Sequence, residues 1–154
     1  MMSKAQFLTK ARFLGTVDIK GKPVSFFSPP HEEPDFLWVD LEELAKVFLP
    51  DDAAIRMVKH SHKFGVGNRP TEAAANGDRI VTIVPHPMAQ GFCAFIDHEN
   101  GHVELNEEEW SLGPANLAYV RAFADAHSKF MPLEFDGLFA AYRNQGGPHL
   151  RGAE

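Results

Sequence analysis

Prolines and glycines divide this chain into short pieces, and that spacing limits the fold more than any other feature. Together they make up 23 of 154 residues and fall at junctions such as Lys20-Gly21-Lys22-Pro23, Ser28-Pro29-Pro30, Leu49-Pro50 and Asn100-Gly101. Proline fixes φ and removes a backbone donor, and glycine relaxes the backbone, so the pattern describes many short elements separated by turns. Internal repeats and low-complexity tracts are absent. Hydrophobic residues make up 44% of the chain, with 17 aromatics of which 13 are Phe. That is enough for a packed core without staples in one domain, expected over 1–145, with a frayed tail over 146–154.

Phe13, Val17 and Ile19 precede the Gly21 turn, and Val24-Ser25-Phe26-Phe27 follow it, the pattern of a hairpin. Residues 28–35, with three prolines and three acids, can be neither helix nor central strand and read as an exposed loop. After the short apolar run Phe36–Val39, Asp40 stands as an N-cap with Glu43 as its capping-box partner. That helix ends near Leu49-Pro50. Asp51 or Asp52 caps a second helix running to about Lys63, where Gly65 stops it. Arg79–Val84 is the clearest strand, and the alanines before it end in the Asn76-Gly77-Asp78 turn. Pro85–Asp97 suits a helix better than a strand. Asn106 with Glu109 suggests another cap. Pro114 opens a helix to about Phe130 whose stripe is Leu117, Val120, Phe123, Ala124 and Met131, and a last helix spans Asp136–Tyr142. The expected class is α+β: a small antiparallel sheet with several packed helices and a helix-turn-helix-like pair at about 40–64.

The net charge is −6, yet the segment from Ala53 to Pro70 contains no acid and carries Arg56, Lys59, Lys63 and Arg69. The rest of the chain therefore sums to −10. Arg56, Lys59, His60 and Lys63 are spaced i, i+3, i+4 and i+7, one helical face, with Ile55, Val58 and His62 expected to anchor the other. Such a stripe can neutralise phosphates and release counterions. Arg69, in the Gly65-Val66-Gly67-Asn68 loop, extends it. The bland alternative is a solvated face whose cations offset the helix dipole.

Other chemistry is thin. A single cysteine, Cys93, excludes an internal disulfide and a Cys-rich zinc site, and its apolar neighbours point to an inert thiol. His60 and His62 point about 200° apart on a helix, so they do not chelate together. His86, His98 and His102 could form a three-ligand site on spacing alone. His127 reads as a hydrogen-bonded core histidine. Nucleophile-elbow, Walker, dinucleotide and HExxH motifs are absent, so no catalytic residue, metal or cofactor is assigned. Met1–Gln6 lacks the apolar run of a signal peptide and no stretch approaches membrane-spanning length, which makes a cytoplasmic location without membrane contact the expectation. Thirteen phenylalanines exceed the needs of such a core and leave room for an unlocated homodimer face.

The segments Gly21–Phe27, Trp38–Phe48, Ile55–His60 and Arg79–Val84 resemble, in the same order, the BRO N-terminal domain of phage antirepressors and related viral proteins. The resemblance covers about residues 12–98. It implies a small α+β module of a mobile element that binds DNA or antagonises a protein. The leading expectation is thus a non-enzymatic regulatory or accessory module of phage or mobile-element type, contacting nucleic acid through Arg56, Lys59, His60, Lys63 and Arg69. One alternative is an acidic adaptor or inhibitor of a host protein, using the 28–35 loop or the 97–109 region. Another is a small metal-dependent hydrolase built on His86, His98 and His102.

Overall fold

The computed structural model describes residues 9–32, 34–61, 71–102 and 112–145. Among them are five strands and five helices: β1 (Phe13–Ile19), β2 (Lys22–Phe27), β3 (Trp38–Asp40), α1 (Leu41–Phe48), α2 (Asp51–Ser61), β4 (Glu72–Asn76), β5 (Arg79–Val84), α3 (His86–Glu99), α4 (Pro114–Phe130) and α5 (Phe135–Arg143). The fold is α+β. The strands form one antiparallel sheet in the order β1-β2-β3-β5-β4.

Both hairpins turn on glycine. Lys20 and Gly21 have φ of 51° and 81°, and Ile19 pairs with Lys22, so a two-residue loop with both φ values positive joins β1 to β2. Pro23, expected in the turn, instead pairs with Asp18 inside β2. The strand tolerates it because β3 pairs only with Phe26 and Phe27, leaving no described strand beside Pro23 on that side. Gly77, at φ 62°, turns β4 into β5. The alanines 73–75 thus form an edge strand rather than the approach to a turn. Alanine has little intrinsic strand preference, and only pairing with Thr82, Val81 and Ile80 reveals it as β.

Alternation along the strands sorts the core into two clusters. One face of the sheet gives Val17, Ile19, Val24, Phe26, Val39 and Val84 to a cluster shared with Leu44 of α1, Val58 of α2, Cys93 of α3 and Tyr119 of α4. The other face gives Phe27, Trp38, Ala74, Val81 and Ile83 to a smaller cluster with Ala11. Part of the 28–35 loop folds over this second face. Asp35 is buried, accepts bonds from Trp38 Nε1 and the Phe36 N–H, and lies 3.0 Å from His31 Nε2. The expected exposed loop is therefore corrected at Asp35, while Glu32 and Pro34 are exposed as expected. Burying the indole requires an acceptor for its N–H, and Asp35 supplies one.

The fourth helix turns a different side inward from the one expected. Its buried positions are Ala115, Asn116, Tyr119, Ala122 and Ala126, while Leu117, Val120 and Phe123 are half-buried and Ala124 is exposed. Small residues allow close approach to β1 and α3, and the larger apolar side chains pack along the flanks.

Candidate nucleic-acid interface

The basic helix is held in place through α1. Asp40 ends β3 and caps α1, accepting the Glu43 N–H at 3.0 Å. Glu43 does not close the expected capping box; its Oε1 accepts the Ser25 N–H of β2 at 2.8 Å. The carboxylate is used for a sheet donor because β2 passes alongside α1. One side chain pair thus ties α1 to two strands. Leu49 and Pro50 then break the chain, and the Pro50 carbonyl accepts the Ala54 N–H to start α2.

In α2, Ala54, Val58 and Ser61 are buried, a spacing of i, i+4 and i+7 that sets the inward face. Ser61 Oγ donates to the Val58 carbonyl at 2.6 Å. Ile55 is 38% exposed, so it does not anchor the helix as expected. It lies one residue, about 100°, away from Ala54 and falls outside the inward face. Arg56, Lys59 and His60 are all exposed on the outer face. Arg56 Nη1 lies 4.0 Å from Asp52 Oδ2, with both side chains about three-quarters exposed. That exposed pair holds Arg56 weakly, and water screens most of its attraction. Asp51 and Asp52 occupy the first turn, and Lys59 and His60 the last, so positive charge gathers toward the C-terminal half. Lys63, Arg69, His62 and the Gly65–Asn68 loop lie outside the described residues.

A second cluster joins residues far apart in sequence. His86, at the start of α3, stacks on Phe123 with ring centroids 3.8 Å apart, and its Nδ1 lies 2.8 Å from the buried Tyr119 hydroxyl. Phe36 meets His86, Phe123 and His127 edge-on. His127 Nε2 accepts the Leu37 N–H at 3.0 Å, and its Nδ1 lies 3.1 Å from the Met131 carbonyl. These backbone contacts assign the proton to Nδ1 and fit the core histidine expected from the sequence. Burial lowers the pKa of His86 to about 4, with His127 adding to the effect. Burial lowers His127 as well, against the bond to Met131. Sequence reasoning missed this cluster because its members come from α3, α4 and the segment before β3; only the apolar neighbourhood of His127 hinted at it.

These shifts move the groups away from acid–base work near neutral pH, where a base with a pKa near the working pH is most effective. Burial, with the Asp97 charge, pushes the Cys93 thiol up to about 12, as expected for an inert cysteine. His86 is turned toward Tyr119, whereas His98 and His102 are exposed. Among the described residues, no group of three His, Cys, Asp or Glu could hold a metal ion.

The acidic regions are less available than their sequence suggests. Asp35 is buried beneath Trp38, as described above. Asp97 is buried, its carboxylate accepting the Ala115 and Asn116 N–H groups of α4 at 2.8 and 3.0 Å. Glu107, Glu108 and Glu109 lie outside the described residues. No helix among the described residues is long and apolar enough to cross a membrane.

No family model, curated protein or solved structure matches the chain. The likeness to the BRO N-terminal domain rests on the sequence segments alone.

Proposed function

We propose that this protein is a non-enzymatic regulatory or accessory module, of the phage or mobile-element type that its sequence resembles, and that it contacts nucleic acid through the outer face of α2. The observation carrying this reading is the joint exposure of Arg56, Lys59 and His60 on one helix face, within an acid-free sequence segment of an otherwise acidic chain. Neutralising a phosphate requires a cation that is not already committed to a close partner. Lys59 has no ion pair among the described residues, and Arg56 has only the loose contact to Asp52. Lys63 and Arg69 extend the same basic run in sequence.

The adaptor reading loses two of its acids to internal bonds, since Asp35 and Asp97 serve the fold. Its test is separate: a protein partner would bind irrespective of changes on α2. For the nucleic-acid reading, Arg56→Glu with Lys59→Glu is the direct variant. Both positions are exposed, so the domain stays folded while binding to labelled duplex or single-stranded DNA, followed by fluorescence anisotropy, falls at least about tenfold. Binding equal to that of the unchanged chain would refute the assignment.

A further inference from the structure

The fifth helix presents its large side chains outward. Phe135, Leu138, Phe139 and Tyr142 recur at i, i+3, i+4 and i+7 and are 72%, 48%, 52% and 66% exposed. On the opposite side, Ala141 is fully buried and Gly137 and Ala140 are half-buried. Phe135 and Phe139 pack edge-to-face at 4.8 Å, and the four side chains line a shallow groove of about 320 Å³. An amphipathic helix in a monomer normally turns the other way, because apolar side chains gain free energy by leaving water. Aromatic side chains held this far into solvent mark a contact surface.

The charges beside this stripe identify its occupant. Asp136 and Arg143 are seven residues apart, so both flank the stripe on the same side, one at each end. Neither has an ion-pair partner among the described residues. Two copies of α5 related by a twofold axis run antiparallel and bring matching flanks together at opposite heights. Asp136 of each copy then lies beside Arg143 of the other, while Phe135 meets Tyr142 and Leu138 and Phe139 meet at the centre. Stripe and flanking charges are thus self-complementary, as a twofold contact requires. We propose that α5 is a homodimerisation helix that pairs antiparallel with a second copy of this chain through Phe135, Leu138, Phe139 and Tyr142, with Asp136–Arg143 ion pairs across the contact. Burying about 100 Å² from each of the four side chains removes about 800 Å² from water across both copies, short of the ~1,200 Å² of a stable interface. The dimer therefore dissociates at micromolar concentrations. This inference does not depend on nucleic-acid binding.

Sedimentation velocity of the full chain tests it over about 2–300 µM, a range that brackets micromolar association. The weight-average mass is expected to rise from 17.1 kDa toward twice that value and no further. Phe139→Glu is expected to hold it at 17.1 kDa across the range, with the far-ultraviolet circular dichroism unchanged. Arg143→Glu alone should weaken association about fivefold, because two exposed pairs become repulsive contacts. Adding Asp136→Arg to it should restore association, because the reversed charges again match. A monomer at every concentration, a mass climbing beyond two copies, a dimer insensitive to Phe139→Glu, or a charge swap that fails to restore association would each overturn the proposal.

Discussion

Asp40 carries two duties at the β3–α1 junction, ending a strand and capping a helix, and its position explains an expected pH response. Burial raises its pKa to about 7, with the Glu43 and Glu42 carboxylates adding to the rise and the Glu43 N–H and Arg79 opposing it. Its Oδ2 is buried without a partner among the described residues. The folded state holds this proton more tightly than the unfolded chain, so Asp40 makes stability fall as pH rises from about 4 to about 7. His86 acts in the opposite sense. Its pKa falls from 6.5 to about 4 on folding, so its contribution is full above 6.5 and is lost as pH drops toward 4. His127, also lowered, adds to this second slope. Asn is as good an N-cap as Asp, so Asp40→Asn removes only the first slope. Urea denaturation is expected to find this variant equal to the unchanged chain near pH 4 and more stable near pH 8, by about 1–3 kcal/mol. An equal difference at both pH values would contradict the assignment. At Tyr119, replacement by Phe leaves His86 Nδ1 without its partner and should cost about 1–2 kcal/mol in the same measurement.

At the scale of the elements, α4 takes its start from another helix. Gly113 and Pro114 supply no side-chain cap, and the Asp97 carboxylate of α3 satisfies two of the first N–H groups instead. These donors would otherwise be orphaned in the core. Asp97→Ala is therefore expected to destabilise the fold by about 2–3 kcal/mol in chemical denaturation, and Asp97→Asn by about half as much, since an amide offers one acceptor oxygen. Equal losses would show that the two bonds do not contribute separately. A Cβ at position 113 would run into Asp97, so Gly113→Ala should act in the same direction.

The legibility of each element followed from how local its determinants are. The boundaries of α1 and α4 could be read because a cap or a proline marks them within a few residues; the start of α2 follows Pro50, with Asp51 and Asp52 inside the first turn rather than at the expected cap, and its expected end near Lys63 lies outside the described residues. Strand β4 could not, because its alanines become β only by pairing with β5. The α4 stripe was misjudged because hydrophobicity selected Leu117 and Val120, whereas close approach selected Ala115, Ala122 and Ala126. Spacing put Arg56, Lys59 and His60 on the exposed side of α2, where they lie, and wrongly put Ile55 on the inward side; Lys63 lies outside the described residues. The His86–Tyr119–Phe123 cluster and the inward roles of Asp35 and Asp97 depend on tertiary partners that spacing does not reveal.

For the molecule as a whole, the arrangement combines a packed centre with two helices that turn charged or aromatic side chains outward. The sheet and α1, α3 and α4 bury the chemistry that could titrate, while α2 presents cations and α5 presents aromatics. The net charge of −6 opposes long-range attraction to nucleic acid, so the proposed binding rests on close contacts at α2. Screening weakens the repulsion of the acidic remainder only at distances beyond about 10 Å at 0.1 M salt.

Salt dependence tests the nucleic-acid reading most directly. If α2 and the basic run after it neutralise three or four phosphates of a duplex, raising salt from about 50 to about 200 mM should weaken binding by about 40- to 150-fold. Arg56→Glu with Lys59→Glu should flatten that dependence. Absence of binding at the lower salt, or binding whose salt response is unchanged by the double substitution, would contradict the placement of nucleic acid on this helix.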